Sequence, residues 1–250
     1  MTGVQTCALP IYPGSRNINE GDNSGVTAAG VAIDSGNSSG FKIMLDNGLD
    51  INLKEKGTDP LVLYAYKKNQ KSIFTELSKR GADITLKDGN GDSILHLVAE
   101  KGDMGFYKTL AASNPDLNIT NKEGKTPLFL AIEKGKASFA KTLLEQKDKI
   151  NLKLKDSRGM SVLHYLAMLK GGVPLLSMFE VNPQWIEEKD ASGRSPLALA
   201  VHANLIDNAG FFIKAGADAR GEDWNGAELV ITAYEKNKAM MNLLLENGAD

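Results

Sequence analysis

A glycine that returns at a nearly fixed interval constrains this chain more than any other feature. It stands at Gly25, Gly57, Gly91, Gly124, Gly159, Gly193 and Gly226, in steps of 32, 34, 33, 35, 34 and 33 residues. A domain built around one central core has no reason to repeat itself this way. A period in this range means that one supersecondary unit is copied along the chain, each copy too small to bury its apolar face alone. Seven copies span roughly residues 22–250, with residues 12–21 as a polar linker ahead of them.

The clearest copy is 121–151, NKEGKTPLFLAIEKGKASFAKTLLEQKDKIN. Gly124 turns the chain, and Thr126 carries a hydroxyl suited to cap a helix. Pro127 falls at the first helical position, where no backbone donor is needed. Leu128, Leu130, Ala131 and Ile132 form an apolar run that closes at Lys134-Gly135. Phe139, Ala140, Leu143 and Leu144 then recur at helical spacing before a polar loop. The unit reads as two short helices, a tight turn and a returning loop.

These residues resemble the ankyrin repeat, which opens Gly-x-Thr-Pro-Leu-His-x-Ala and closes Gly-Ala-Asp-x-Asn. The openings here include Gly124-Lys-Thr-Pro-Leu-Phe-Leu-Ala131, Gly193-Arg-Ser-Pro-Leu-Ala-Leu-Ala200 and Gly91-Asp-Ser-Ile-Leu-His-Leu-Val98. The closings include Gly81-Ala82-Asp83, Gly216-Ala217-Asp218 and Gly248-Ala249-Asp250. The resemblance implies an all-α solenoid of stacked antiparallel helix pairs with hairpin loops, curved around a concave face. It also implies a non-catalytic module that binds a partner protein through that concave face and the hairpin tips. A chain of this kind can also be the targeting arm of a larger enzyme or secreted effector.

Composition narrows the partner. With 29 basic and 31 acidic residues, net charge −2, there is no electrostatic footprint for nucleic acid or an anionic membrane. No apolar run approaches the length of a membrane helix, about 20 residues. The single cysteine, Cys7, excludes an internal disulfide and a cysteine-based zinc site. The partner expected is therefore a protein, with no cofactor or metal, and the chain is expected to be a monomer apart from self-association at an uncapped end.

Several copies depart from the pattern. In repeat one Thr27 caps the first helix, and Phe41, Ile43, Met44 and Leu45 supply the apolar face of the second. Repeat two is one residue longer, and Asp59 takes the capping position. Repeat five is interrupted at Lys170-Gly171-Gly172-Val173-Pro174, and Asn182-Pro183-Gln184-Trp185 replaces its Gly-Ala-Asp. The second helix of repeat seven stays apolar at Met240, Met241 and Leu244, which reads as an uncapped face and a chain cut short. Residues 1–11, MTGVQTCALPI, lack the period and resemble a translated sequencing adapter, so the start also reads as cut.

Other motifs dissolve on inspection. Asp88-Gly-Asn90-Gly-Asp92 imitates half of a calcium loop, but Ser93 and Ala99 stand where its glycine and bidentate glutamate belong. The glycine-rich stretch from Asp34 to Gly40 lacks the Gly-Lys-Ser/Thr ending of a phosphate loop. His96 and His164 occupy the motif's histidine, which in the family bonds neighbouring loops. No nucleophile stands at a motif spacing from a base, so no catalytic residue is expected.

The resemblance also locates the contact residues, beside the turn glycine and after the motif alanines. Repeats two, three, four and seven offer Tyr66-Lys67, Glu100-Lys101, Glu133-Lys134 and Glu235-Lys236 there. Repeats five and six offer Met168-Leu169 and His202, and the adjacent turns bring Arg158, Met160, Arg194 and Trp224. Methionine, tryptophan and arginine are enriched at interface centres where lysine and glutamate are depleted. These seven residues form the expected binding patch, unless repeat five shifts register and draws Met168 and Leu169 into the core.

Overall fold

A computed structural model describes residues 17–55, 59–178, 182–223 and 225–249. The expectations for residues 1–11, for Gly57, for Trp224 and for Asp250 lie outside the described residues. The chain forms two compact units, Met1–Ala82 and Asp83–Asp250.

In the first unit α1 (Ala28–Asp34) packs on α2 (Ser38–Asp46), and α3 (Leu61–Lys67) on α4 (Lys71–Lys79). The two pairs stack, α1 on α3 and α2 on α4. Thr27 caps α1 as expected, its hydroxyl accepting from Gly30 N at 2.9 Å. Asp59 does not cap α3. Its backbone pairs in a two-stranded ribbon, β1 (Lys54–Glu55) with β2 (Asp59–Pro60), so the helix opens one residue later on Pro60. The Asp59 carboxylate instead meets Lys67 Nζ at 3.0 Å. Ile43 is also corrected. Phe41 and Met44, three residues apart, share the buried face of α2, whereas Ile43 is 62% exposed.

The second unit continues the pattern. In chain order it holds α5 (Ile94–Lys101), α6 (Met104–Ala111), α7 (Pro127–Glu133), α8 (Ala137–Leu144), α9 (Val162–Ala167) and α10 (Val173–Leu176). After α11 (Pro183–Ile186) come α12 (Pro196–His202), α13 (Ile206–Lys214), α14 (Leu229–Lys236) and α15 (Lys238–Glu246). First helices stack on first helices, α5 on α7, α7 on α9, α9 on α12 and α12 on α14. Thr126 and Ser195 cap α7 and α12, with Pro127 and Pro196 just inside. On α15 Met240 and Leu244, expected on an open face, are fully buried.

His96 and His164 tie the stack together. Each Nδ1 accepts from its helix-capping serine, at 2.9 Å from Ser93 Oγ and 2.8 Å from Ser161 Oγ. Each Nε2 points at a carbonyl of the next hairpin, Lys125 O at 2.9 Å and Arg194 O at 3.0 Å. A carbonyl only accepts, so Nε2 carries the proton and both rings are neutral. Burial pushes both pKa values below the usual histidine range, against the opposing carbonyl bonds.

The interruption in repeat five has a local cause. Gly171 adopts φ 71°, and a Cβ on Gly172 would sit 2.8 Å from Leu166 O. The chain passes so close to the end of α9 that only glycine fits, and α10 shrinks to four residues. Asn208 of α13, buried, reaches back into this bend. Its amide nitrogen lies 3.1 Å from Leu166 O, 3.1 Å from Ala167 O and 2.8 Å from Leu169 O.

Candidate partner-binding surface

Every hairpin tip of the second unit is built around one acidic or amide side chain three residues before its turn glycine. Asp156 Oδ1 accepts from Arg158 N and Met160 N, both at 2.9 Å. Asp88, Asn121, Asp190 and Asp223 do the same in their own turns. This Asx turn absorbs the carboxylate of Asp88 that imitates a calcium ligand. Successive tips then bond to one another: Ser157 N donates to Glu123 O, and Ala191 N to Arg158 O, both at 2.8 Å. At Gly124 a Cβ would meet Ser157 N at 3.0 Å, and φ is 72°, so this close approach requires glycine.

This ladder fixes the two arginines. Arg158 Nε donates to Asp156 Oδ2 at 3.0 Å, and its Nη2 to Tyr165 Oη at 2.9 Å. Tyr165 in turn donates to Asp156 Oδ2 at 2.9 Å and stacks on Phe129 at 4.9 Å. Burial and the Asp156 carboxylate push the Tyr165 hydroxyl far above its ordinary range, so it is a permanent donor. Burial opposes the charge on Asp156, yet the Met160 amide, Tyr165 and Arg158 hold its carboxyl below the usual range. Arg194 repeats the arrangement with Asp190, Nε to Oδ2 at 2.7 Å. The Arg158 side chain is about half exposed at 49%, and Arg194 is partly covered.

Met160 is not a surface contact. It is fully buried, with Arg194 Nη2 4.0 Å from its sulfur. Tyr66, offered by repeat two, is likewise buried against Phe74.

Met168 and Leu169 follow the end of α9. Met168 is 41% exposed and Leu169 half-buried, its carbonyl held by Asn208. His202 closes α12, the helix stacked on α9, and is exposed. The Asp223 carboxyl is held low against the cost of its burial by the Asn225 and Ala227 amides, Thr232 and, least, the charge of His202. The structure thus gathers Arg158 and Arg194 on linked tips, and Met168, Leu169 and His202 on adjacent helix ends. Sequence reasoning missed Asn208 and Tyr165. The recurring Asx residue before each turn was there to be read; nothing local marked Asn208.

The neighbouring repeats look different. A cleft of about 560 Å³ lies between their tips and the ends of α5 and α7. Its charges are already engaged: Lys125 pairs with Glu133 at 2.9 Å and Glu123 at 2.8 Å, Lys134 pairs with Glu100 at 3.0 Å, Lys122 donates to Gly89 O at 2.7 Å and Asp92 accepts from Asn121 Nδ2 at 2.8 Å. Ser93 and Ser161, though beside histidines, are buried cap residues whose histidine partners are fully engaged. Among the described residues no group of three or more His, Cys, Asp or Glu side chains could hold a metal, and no helix is long and apolar enough to cross a membrane.

Comparison with known proteins fits this geometry. A family model described as ankyrin repeats (3 copies) matches residues 61–156 and 95–181. The crystal structure of the ankyrin repeat domain of Bcl-3, described as a unique member of the IkappaB protein family, superposes with a TM-score of 0.72 at 20% identity. That match covers 90% of this chain and 99% of the Bcl-3 chain. No curated protein matches by sequence. At this identity the likeness to Bcl-3 speaks for the fold alone.

Proposed function

The chain belongs to the ankyrin repeat family, whose repeats generally mediate protein–protein interaction, and from that premise we propose that it binds a partner protein through one defined patch. The patch is Met168 and Leu169 at the centre, with Arg158, Arg194 and His202 around them and Trp224 as a further contact. One observation supports this choice over the rest of the tip surface. Met168 is an exposed apolar side chain on a backbone pinned by Asn208, while the cleft at repeats three and four is lined by charges that already have partners within the chain. An apolar centre with a polar rim is the composition of an interface that binds, and paired lysine and glutamate is not. Met160 contributes from below, by supporting Arg194.

The mechanism is preorganisation. The Asx turns and the tip ladder hold the arginine side chains before any partner arrives, so little conformational freedom is lost on binding. Capture from cell extract by the wild-type chain, by Met168→Glu and by Arg158→Ala tests the reading. A partner that engages the patch binds Met168→Glu with a loss of about 2 kcal/mol, roughly thirtyfold. Equal capture by all three chains refutes it.

A further inference from the structure

One crevice recurs at a fixed place in the repeat, between the loop that returns from the preceding copy and the start of the first helix. In repeat three its lining includes Ile84, Leu95, Ile119 and Leu110 of α6, and only about 10 Å³ is left open. In repeat five the same crevice holds about 200 Å³. It is lined there by Leu152 and Lys153 of the returning loop, Val162 and Leu163 at the start of α9, and Trp185 and Glu188. Counted from the turn glycines, Glu188 stands where repeat three has Ile119, Trp185 where it has Asp116, and Lys153 where it has Thr85. The second helix also differs, with eight residues in α6 and four in α10. The crevice that repeat three closes is open where repeat five departs from the pattern.

The wall that carries Trp185 is fixed before anything binds. Asn182 caps α11, accepting from Gln184 N at 2.9 Å, and Ile186 at the end of α11 is fully buried. Trp185 between them is half-buried, and among the described residues its indole N–H has no hydrogen-bond partner. Val162 and Leu163 are buried, and Lys153 is exposed. Glu188 is matched by Lys155 at 3.2 Å, whereas Lys153 has no ion-pair partner among the described residues. The pocket therefore combines an apolar floor, one indole and one surplus positive charge. It lies at the start of α9, whereas Met168 and Leu169 follow the end of that helix.

Size and charge together name the occupant. A cavity of about 150 Å³ holds one benzene ring. Sites for whole small ligands run to about 300–1,000 Å³. A pocket of about 200 Å³ thus takes one large apolar side chain. A tryptophan wall suits such an anchor. The surplus ammonium of Lys153 favours a carboxylate beside it. We propose that the Trp185 pocket is a second binding site, which receives a leucine-sized side chain standing next to an acidic residue in a partner protein.

Titration of the ¹⁵N-labelled 250-residue chain with the blocked dipeptide acetyl-Asp-Leu-amide tests this, read at the Trp185 indole N–H resonance. Trp224→Phe identifies which of the two tryptophan signals is which. The shift should saturate. Acetyl-Asp-Ala-amide should bind about tenfold more weakly, because the apolar side chain is lost. Acetyl-Lys-Leu-amide should bind up to about fivefold more weakly, and Lys153→Glu, an exposed change, should abolish or reverse that preference. Met168→Glu should leave the titration unchanged, so this site and the Met168 patch succeed or fail separately. No saturable shift overturns the proposal, as does equal binding of the alanine peptide. A charge preference that survives Lys153→Glu, or a titration lost in Met168→Glu, overturns it as well.

Discussion

Replacing Asn208 with alanine should injure the molecule far more than a polar helix residue ordinarily does. The side chain is about 1% exposed and its amide serves three carbonyls at the end of α9. Two of these also accept backbone bonds, Leu166 O from Leu169 N and Leu169 O from Gly172 N. Ala167 O takes the amide as its hydrogen-bond donor. Truncation thus leaves one buried carbonyl bare, at about 1–3 kcal/mol, and removes the supplementary bond that the second N–H shares between the other two, worth about 0.5–1 kcal/mol. The total is about 3 kcal/mol, before any cost of the void. Asn208→Leu fills the space but has no donor, so it should lose most of that amount too. Urea unfolding followed by circular dichroism gives the stability, and hydrogen exchange gives its location. Exchange at Leu169 and Gly172 should accelerate more than at amides in α5 or α7. A loss below about 1 kcal/mol with unchanged exchange would show that the carbonyls find water, and that Asn208 does not hold the bend.

Acidification should weaken the fold through His96 and His164. Both have folded-state pKa values below the unfolded value of about 6.5, so the unfolded chain binds more protons as pH falls below that point. Their contribution is complete above about pH 7 and declines from about 6.5 toward the folded pKa, by at most about 1.4 kcal/mol per pH unit for each ring. Replacing both with glutamine should flatten stability against pH between 7 and 5, and an unchanged slope would refute the assignment. The burial of Met160 has its own check: Met160→Ala should cost about 2–5 kcal/mol and Arg158→Ala no more than about 1 kcal/mol. Equal small losses in urea unfolding would return Met160 to the surface.

What the sequence disclosed was whatever backbone geometry demands locally. A turn that needs φ near 75° selects glycine at Gly91, Gly124, Gly159, Gly193 and Gly226 wherever the unit is copied, so the period survives in a chain with little else in common between copies. Thr27, Thr126 and Ser195 could be read as caps because the cap bond spans only three residues. The failures share the opposite property. Met160 is fully buried, and its sulfur meets Arg194, 34 residues later. Asn208 matters because it reaches α9 from 39 to 42 residues away. Asp59 lost its cap to a ribbon register that no single position announces.

The candidate patch inherits this division. Residues beside the turns could be named from sequence, but which of them face solvent depends on the neighbouring copy. Repeat five is where the two kinds of information meet. Its Gly171-Gly172 was legible as an interruption, while the reason it holds, an asparagine donated by the following repeat, was not. Because that asparagine fixes the carbonyl of Leu169, the orientation of the apolar centre is set from repeat six. A substitution on α13, remote from any partner, should therefore alter binding through Met168 and Leu169 without touching either.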